Sequence, residues 1–393
     1  MIRRRTSHIV LAAGGTGGHM FPALALMEEL LERGHRVSLI TDKRGLMYRN
    51  IFKGIKIYQV GSASFKGKGI FGKILSILRI ISGVFAARSI LKALDVSAVI
   101  GFGGYPSFPT IRAALSIGIP TVLHEQNAVL GRVNRFMAKS VDAVALTFDN
   151  TKNVNWNRNK YTTVTGNPVR KEIVEIRNLY YPALDDECIF RILVIGGSQG
   201  AKIFSEVLPR AVSTLPRASQ RRLQITQQCR EEDIEVVRAL YADMNIAVNL
   251  TTFLDDLPTC LRWTHLVIGR AGASTITELT AAGRPGIFVP YPYATDDHQT
   301  TNTKEIITNG GGWVYQNEHF NAKVLAKSLQ RMIRHPNEVL AAAKAARKIG
   351  KPYAAKDLAD IVERLALVKG NKFFTKVNEN KKYLENERLG VKL

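Results

Sequence analysis

HIVLAAGGTGGHMFPALALMEELL, residues 8–31, decides the fold. A short apolar run, His8–Ala13, leads into the glycine-rich Gly14–Pro22 and then into the amphipathic run Ala23–Leu31. The order reads as strand, turn and helix. Glycines in such a turn let backbone N–H groups crowd towards a ligand, and the following helix aims its positive end at the same place. That backbone suits a diphosphate. His19 stands at the lip of the turn, where an imidazole can take a proton from a bound hydroxyl. The same order returns at Arg191–Gly200, RILVIGGSQG, which predicts two similar domains facing one cleft.

Outward from this stretch, short apolar runs alternate with helical patterns. His8–Ala13, Arg36–Thr41, Ile55–Val60, Ala98–Gly101, Thr121–His124 and Ala143–Leu146 read as strands, with helical patterns at Ala23–Arg33, Lys73–Leu94 and Pro109–Ile117. The alternation predicts an α/β fold with a parallel sheet covered on both faces. Ligands of such sheets bind beyond the carboxyl ends of the strands, where Gly14–Gly18 and Gly101–Pro106 (GFGGYP) both fall. Thr165–Arg170 (TGNPVR) reads as a hinge, because Gly, Asn and Pro break structure there. Beyond it the strands Arg191–Ile195, Leu223–Thr226, Val248–Thr251, Leu266–Ile268 and Gly286–Val289 repeat the pattern, and Lys351–Val368 reads as a last helix.

With 393 residues, 46% hydrophobic and 22% charged, the chain has material for two cores of ordinary size. Cys188, Cys229 and Cys260 are odd in number and far apart, with no CxxC pair, which argues against a disulfide framework or a zinc site. The net charge of +22 is unevenly spread: between Asp42 and Glu125 the only acid is Asp95, against twelve Lys and Arg. Such a block predicts a contact surface for phosphates, in nucleic acid or in an anionic membrane. Arg3–Arg5 before an apolar run imitates the start of a signal peptide, but the run ends at Gly14 without a cleavage pattern. No stretch approaches the roughly 18 uncharged apolar residues of a spanning helix. The expectation is a protein that is cytoplasmic or sits on a membrane face.

Gly67–Lys73 (GKGIFGK) matches two phosphate-loop spacings by accident: it lacks the acid that a ribose contact needs, and Ile74 stands where a Walker loop needs Ser or Thr. The helix after it is more informative. Ile74, Leu75, Leu78, Ile81 and Phe85 belong to an apolar arc too wide for a helix with one wetted face, flanked by Lys66, Lys68 and Lys73. A buried core helix has the same pattern. The lysines and the missing acids favour an apolar patch that dips into an anionic bilayer.

GGTGGHMFP, GFGGYPSFP, HEQN at His124–Asn127, TGNPVR, GGSQGA, Arg270–Gly283 (RAGASTITELTAAG) and Asp296–Asn302 (DDHQTTN) occur in one order and spacing. The ordered set, from about Ser7 to Val368, resembles the MurG family of glycosyltransferases, which add N-acetylglucosamine to the lipid-linked muramyl-pentapeptide precursor of peptidoglycan. The resemblance implies a GT-B architecture of two Rossmann-like domains. Residues 1–167 would hold the acceptor and the membrane, residues 168–350 would hold UDP-N-acetylglucosamine, and 351–368 would return as a helix to the first domain. Residues 369–393 would form a basic tail, with Lys369, Lys372, Lys376, Lys381, Lys382, Phe373 and Phe374 as candidate membrane or partner contacts.

For the donor the resemblance implies Thr16, Gly17, Gly18, Asn134, Arg170, Ser198, Gln199, Gly200, Phe253, Leu254, Ala273, Ser274, Glu278, His298, Gln299 and Asn302. Glu278 would bind the ribose diol, Phe253 and Leu254 would line the uracil pocket, and His298, Gln299 and Asn302 would read the sugar; many relatives carry glutamine where His298 stands. For the acceptor it implies Gly14, Gly15, His19, Gly103, Gly104, Tyr105, His124, Glu125 and Asn127. His19 is the leading base and Glu125 its rival. The reaction implied is an inverting single displacement giving a β-1,4 link, on the cytoplasmic face of the bacterial inner membrane. Other cell-wall synthesis or division proteins are implied as partners. No cofactor is required, and no D-x-D metal signature occurs in the sequence, which still leaves room for a divalent metal at the acceptor diphosphate.

Three alternatives keep part of this reading. A diacylglycerol glycosyltransferase or a UDP-N-acetylglucosamine epimerase would share the fold, but GFGGYP and HEQN match the peptidoglycan branch. A basic nucleic-acid-binding protein would interleave its cations with stacking aromatics, whereas this basic block surrounds aliphatic residues.

Overall fold

Each sheet is built outward from the strand that precedes a glycine turn. The structure, a computed structural model, describes residues 6–63, 69–154, 161–185, 187–197 and 201–367. Lys66, Lys68, Ser198, Gln199, Gly200 and the tail 369–393 lie outside the described residues. The chain divides into two units: one from 6–126, 130–168 and 353–367, the other from 127–129 and 169–352, taken over the described residues.

In the first unit the strands are β1 (His8–Ala12), β2 (Arg36–Thr41), β3 (Lys56–Gln59), β4 (Ala98–Gly101), β5 (Thr121–Glu125), β6 (Ala143–Leu146) and β7 (Tyr161–Val164). They lie in the order β3-β2-β1-β4-β5-β6-β7, all parallel. Chain direction across the sheet reverses between β1 and β4, so both glycine loops leave from the switch point. Strand alternation splits the core by face. Ile9 and Leu11 pack with helices Gly17–Glu32 and Ala354–Leu367, while Val10 and Ala12 pack with Ile111, Ala113 and Ala87 on the other face.

The second unit repeats the plan with β8 (Phe190–Ile195), β9 (Leu223–Gln228), β10 (Ala247–Thr251), β11 (Leu266–Gly269), β12 (Gly286–Phe288) and β13 (Gly312–Val314). The order is β10-β9-β8-β11-β12-β13, again parallel, with the reversal between β8 and β11. Ile192 and Val194 pack on Phe204, Leu208 and Leu329, and Leu193 and Val267 pack on Ile276 and Leu279.

Two helices begin earlier than the sequence pattern predicts. Helix Gly17–Glu32 takes in His19 and Pro22, and helix Gly104–Ser116 takes in Tyr105 and Pro109. His19 is therefore in the first turn of a helix and not on a loop. Strands β7 and β13 were not expected; both are edge strands.

Helix Ile70–Ala93 exposes the apolar arc read from the sequence. By length and composition it is the one helix among the described residues able to cross a membrane, and only 17% of its most apolar stretch is buried. Ser76, Gly83, Ala87 and Leu91 form its buried stripe, of which Ala87 and Leu91 join the core beside Ile111. The large side chains point the other way: Phe71 is 84% exposed, Leu75 66% and Phe85 66%, with Ile74, Leu78 and Ile81 exposed alongside. Small residues face the protein and large apolar residues face outward, which is the reverse of a core helix.

Candidate active site

In the first unit the site forms where the loops after β1 and β4 meet. Gly14 permits that meeting, because a Cβ there would stand 2.6 Å from Pro106 Cβ and 2.7 Å from Asp42 Oδ1. Asp42 organises the turn: its Oδ1 accepts from Gly15 N–H at 3.2 Å and from Gly45 N–H at 2.9 Å. Sequence reasoning passed over Asp42, although an acid closing β2 in a basic stretch was a signal. Gly103 and Gly104 both have left-handed backbones, at φ 79° and 70°, a pair that side chains disfavour. They bring the start of helix Gly104–Ser116 against His19, where a Cβ on residue 104 would stand 3.4 Å from His19 Nε2. Thr16 and Gly18 are exposed at the start of helix Gly17–Glu32, Gly17 is buried and Tyr105 is half-buried.

His19 is half-buried and hydrogen-bonds through Nδ1 to Gln126 Oε1 at 3.1 Å. Burial lowers its pKa below the ordinary histidine value, against the opposing pull of Glu125, Gln126 and the Phe102 carbonyl. It is neutral at pH 7, as a base must be. Gln126, another residue that sequence reasoning missed, also donates from Nε2 to His124 Nδ1 at 3.0 Å. His124 is fully buried, and burial pushes its pKa down to about 4. Its Nε2 donates to the Gly166 carbonyl at 3.0 Å. Glu125 is buried too, and its Oε2 accepts from Gly131 N–H and from Asn134 Nδ2, each at 2.8 Å. His124 and Glu125, expected at the acceptor, lie buried beneath the surface, where they hydrogen-bond to the backbone and to Asn134. The reason is register: both lie within β5, a strand covered on both faces.

Two asparagines change places relative to expectation. Asn134, expected at the donor, is buried in the first unit, where it donates to the His124 carbonyl and to Glu125. Asn127, expected at the acceptor, groups with the second unit. There its Oδ1 accepts from Asn302 Nδ2 at 3.2 Å. Asn302 is fully buried; it donates to the Ala271 carbonyl at 3.1 Å and accepts from Ala128 N–H at 2.8 Å. Both ends of its amide are engaged within the protein.

In the second unit helix Ala273–Ala282 starts after Gly272, with Ala273 buried and Ser274 half-buried, and a helix start is where backbone N–H groups suit an anion. Glu278, on the same helix, is buried and accepts from Arg170 Nη2 at 3.0 Å. Burial raises its pKa, and Arg170 opposes the rise. Gln228 was also missed: its Oε1 accepts from Gly196 N–H at 3.1 Å and its Nε2 donates to the Gly197 carbonyl at 3.1 Å, holding the second glycine turn. Gln299 Oε1 accepts from Tyr291 N–H at 2.9 Å, and His298 Nδ1 donates to the Thr295 carbonyl at 2.7 Å. Asp296 and Asp297, just before them, both hold left-handed backbones, at φ 54° and 47°. Phe253 is exposed and Leu254 half-buried after β10.

Two parallel sheets, with glycine turns after β1 and after β8, are a frame that nucleotide-sugar transferases share with other enzymes. Residues 9–146 match the glycosyltransferase family 28 N-terminal domain and residues 191–365 its C-terminal domain. The protein is a glycosyltransferase of the GT-B class. The chain is 49% identical, over 91% of its length and 92% of the relative's, to the UDP-N-acetylglucosamine–N-acetylmuramyl-(pentapeptide) pyrophosphoryl-undecaprenol N-acetylglucosamine transferase of Zymomonas mobilis. It is 47% identical to the transferase of that name from Sphingopyxis alaskensis, over 92% of each chain. The crystal structure of Acinetobacter baumannii MurG superposes with a TM-score of 0.72 at 32% identity, covering 91% of this chain and 99% of that one. The calicheamicin glycosyltransferase CalG4, at 13% identity and a TM-score of 0.61 over 92% of this chain and 98% of that one, shares the fold alone. The chain belongs to the MurG family of N-acetylglucosamine transferases.

Proposed function

We propose that the chain moves N-acetylglucosamine from its UDP donor to the C4 hydroxyl of N-acetylmuramic acid in undecaprenyl-diphospho-N-acetylmuramyl-pentapeptide. The observation that carries this reading is the 49% identity, spread over 91% of the chain, to a transferase named for that activity. Nε2 of His19 takes the proton of the acceptor hydroxyl, and the freed oxygen attacks the anomeric carbon from the face opposite the diphosphate. The bond from carbon to diphosphate oxygen breaks, its electron pair leaves with UDP, and the configuration inverts. Glu125 is the less favoured base, because it is buried and its Oε2 already receives two hydrogen bonds. Negative charge growing on UDP is met by the helix start at Gly272–Ala273 and by Arg170. Glu278 receives the ribose hydroxyls, Gln299 the sugar, and Phe253 with Leu254 the uracil.

The exposed face of helix Ile70–Ala93 supports a reading in which this chemistry takes place at a bilayer. Its exposed Ile74, Leu75, Leu78, Ile81 and Phe85, with exposed Lys73 beside them, suit the headgroup boundary of an anionic membrane, and peripheral attachment to the cytoplasmic face of the inner membrane follows. The test offers the chain labelled UDP-N-acetylglucosamine with the lipid-linked muramyl-pentapeptide, with diacylglycerol, or with no acceptor. Label in the first lipid alone is the expected result. Label in diacylglycerol, or epimerised donor without transfer, would replace this reading with one of its alternatives.

A further inference from the structure

The imidazole of His19 ends a hydrogen-bonded chain whose polarity is fixed at its far end. The Gly166 carbonyl can only accept, so the 3.0 Å contact makes His124 Nε2 the donor. Neutral His124 then presents a bare Nδ1, and its depressed pKa of about 4 keeps it neutral through the physiological range. A bare, fully buried ring nitrogen calls for a donor, which the Gln126 amide nitrogen provides at 3.0 Å. That orientation turns Gln126 Oε1 towards His19, 3.1 Å from Nδ1, where only an Nδ1–H satisfies it. A neutral imidazole carries one ring proton, so Nε2 of His19 is left with its lone pair. Gln126 is itself buried, so water does not compete for either end of its amide.

We propose that Gln126 is a positioning residue: through its amide the Gly166 carbonyl fixes the tautomer of His19 and presents Nε2 as the basic nitrogen. The inference rests on the reading of His19 as the base. Reversing the amide would set its oxygen against the bare nitrogen of His124, a repulsive contact in a buried space. The groups that act on the His19 charge are Glu125, which favours the imidazolium, and Arg44, which opposes it; the Phe102 carbonyl is a second acceptor facing the ring, and neutral His124 lies behind Gln126. Gln126 therefore governs which nitrogen reacts, while Glu125 and Arg44 adjust the pH at which it does so.

The test is the ring-nitrogen NMR spectrum of the full chain labelled with 15N-histidine, at pH 8, joined to the pH dependence of kcat. Wild type should show His19 protonated on Nδ1 and bare on Nε2. Gln126→Leu, which removes both ends of the amide, should lose that preference and lower kcat by about tenfold or more, with donor KM unchanged. Gln126→Glu keeps an acceptor for Nδ1–H but sets its second oxygen against the bare nitrogen of His124. It should recover part of the activity lost in Gln126→Leu and move the acid limb of the profile to higher pH, because a carboxylate stabilises the imidazolium. Donor binding and Tm report that each variant is folded, and the wild-type spectrum tests the inference without any variant. A wild-type His19 protonated on Nε2 would overturn it in favour of the Phe102 carbonyl, and so would Gln126→Leu with an unaltered kcat and acid limb. A wild type with the Nδ1–H tautomer and no transfer would overturn the role of His19 in the reaction and leave the tautomer lock standing.

Discussion

Arg170 and Glu278, 108 positions apart in sequence, meet at 3.0 Å, both largely buried. The contact ties the last residue of TGNPVR to helix Ala273–Ala282. It also leaves Glu278 suspended between two influences, burial that favours the neutral acid and an arginine that favours the carboxylate.

Arg170→Ala removes the influence that lowers the Glu278 pKa, so the carboxyl rises further above its unfolded value. The sign follows: the variant is penalised where the unfolded chain would be ionised and the folded one resists, and the penalty fades as pH falls below the unfolded pKa. Thermal unfolding should show a loss of about 1–3 kcal/mol at pH 8. The loss should shrink towards pH 4.

Glu363 tests the docking of the last helix. Burial alone would raise its pKa, but the His35 Nε2 hydrogen bond at 2.7 Å and Arg33 at 2.9 Å overcome this and lower it. A lowered carboxyl contributes stability above its unfolded value, near the reference 4.5, and loses it as pH falls through the folded value. Glu363→Gln should cost about 1 kcal/mol at pH 7. Melting curves of variant and wild type should converge below pH 4.

Leu75→Asp with Leu78→Asp should abolish sedimentation with anionic vesicles. Both side chains are exposed, so Tm should stay within a degree or two of wild type. Ala87→Leu, on the buried stripe of the same helix, should do the opposite: about 1–3 kcal/mol of stability lost to overpacking, with vesicle binding retained in the folded fraction.

Much of this fold was legible because its strands are short apolar runs, several of which lead into glycine turns. β2, β4 and β6 have the bounds that the pattern predicts. β7 escaped because its sequence, YTTV, is half-buried and polar, and β13 because three residues carry no period. Gly17, Gly18 and Pro22 hid the first turns of helix Gly17–Glu32, since in sequence they mark a turn. In the site, residue types were readable but reach was not. HEQN signals chemistry, yet only the register of β5 and the loop after it decide that His124 and Glu125 are sealed, that Gln126 reaches His19, and that Asn127 turns to Asn302. Asp42 and Gln228 escaped because they act on backbone, which leaves no motif.

The most direct measurement is transfer of labelled N-acetylglucosamine to the lipid-linked muramyl-pentapeptide by wild type, His19→Ala and Glu278→Ala, each confirmed as folded. The account predicts product from wild type, a kcat reduced about 100-fold or more in His19→Ala, and a raised donor KM in Glu278→Ala. Full activity in His19→Ala would contradict the assignment of the base, and a wild type that binds UDP-N-acetylglucosamine without forming product would contradict the acceptor.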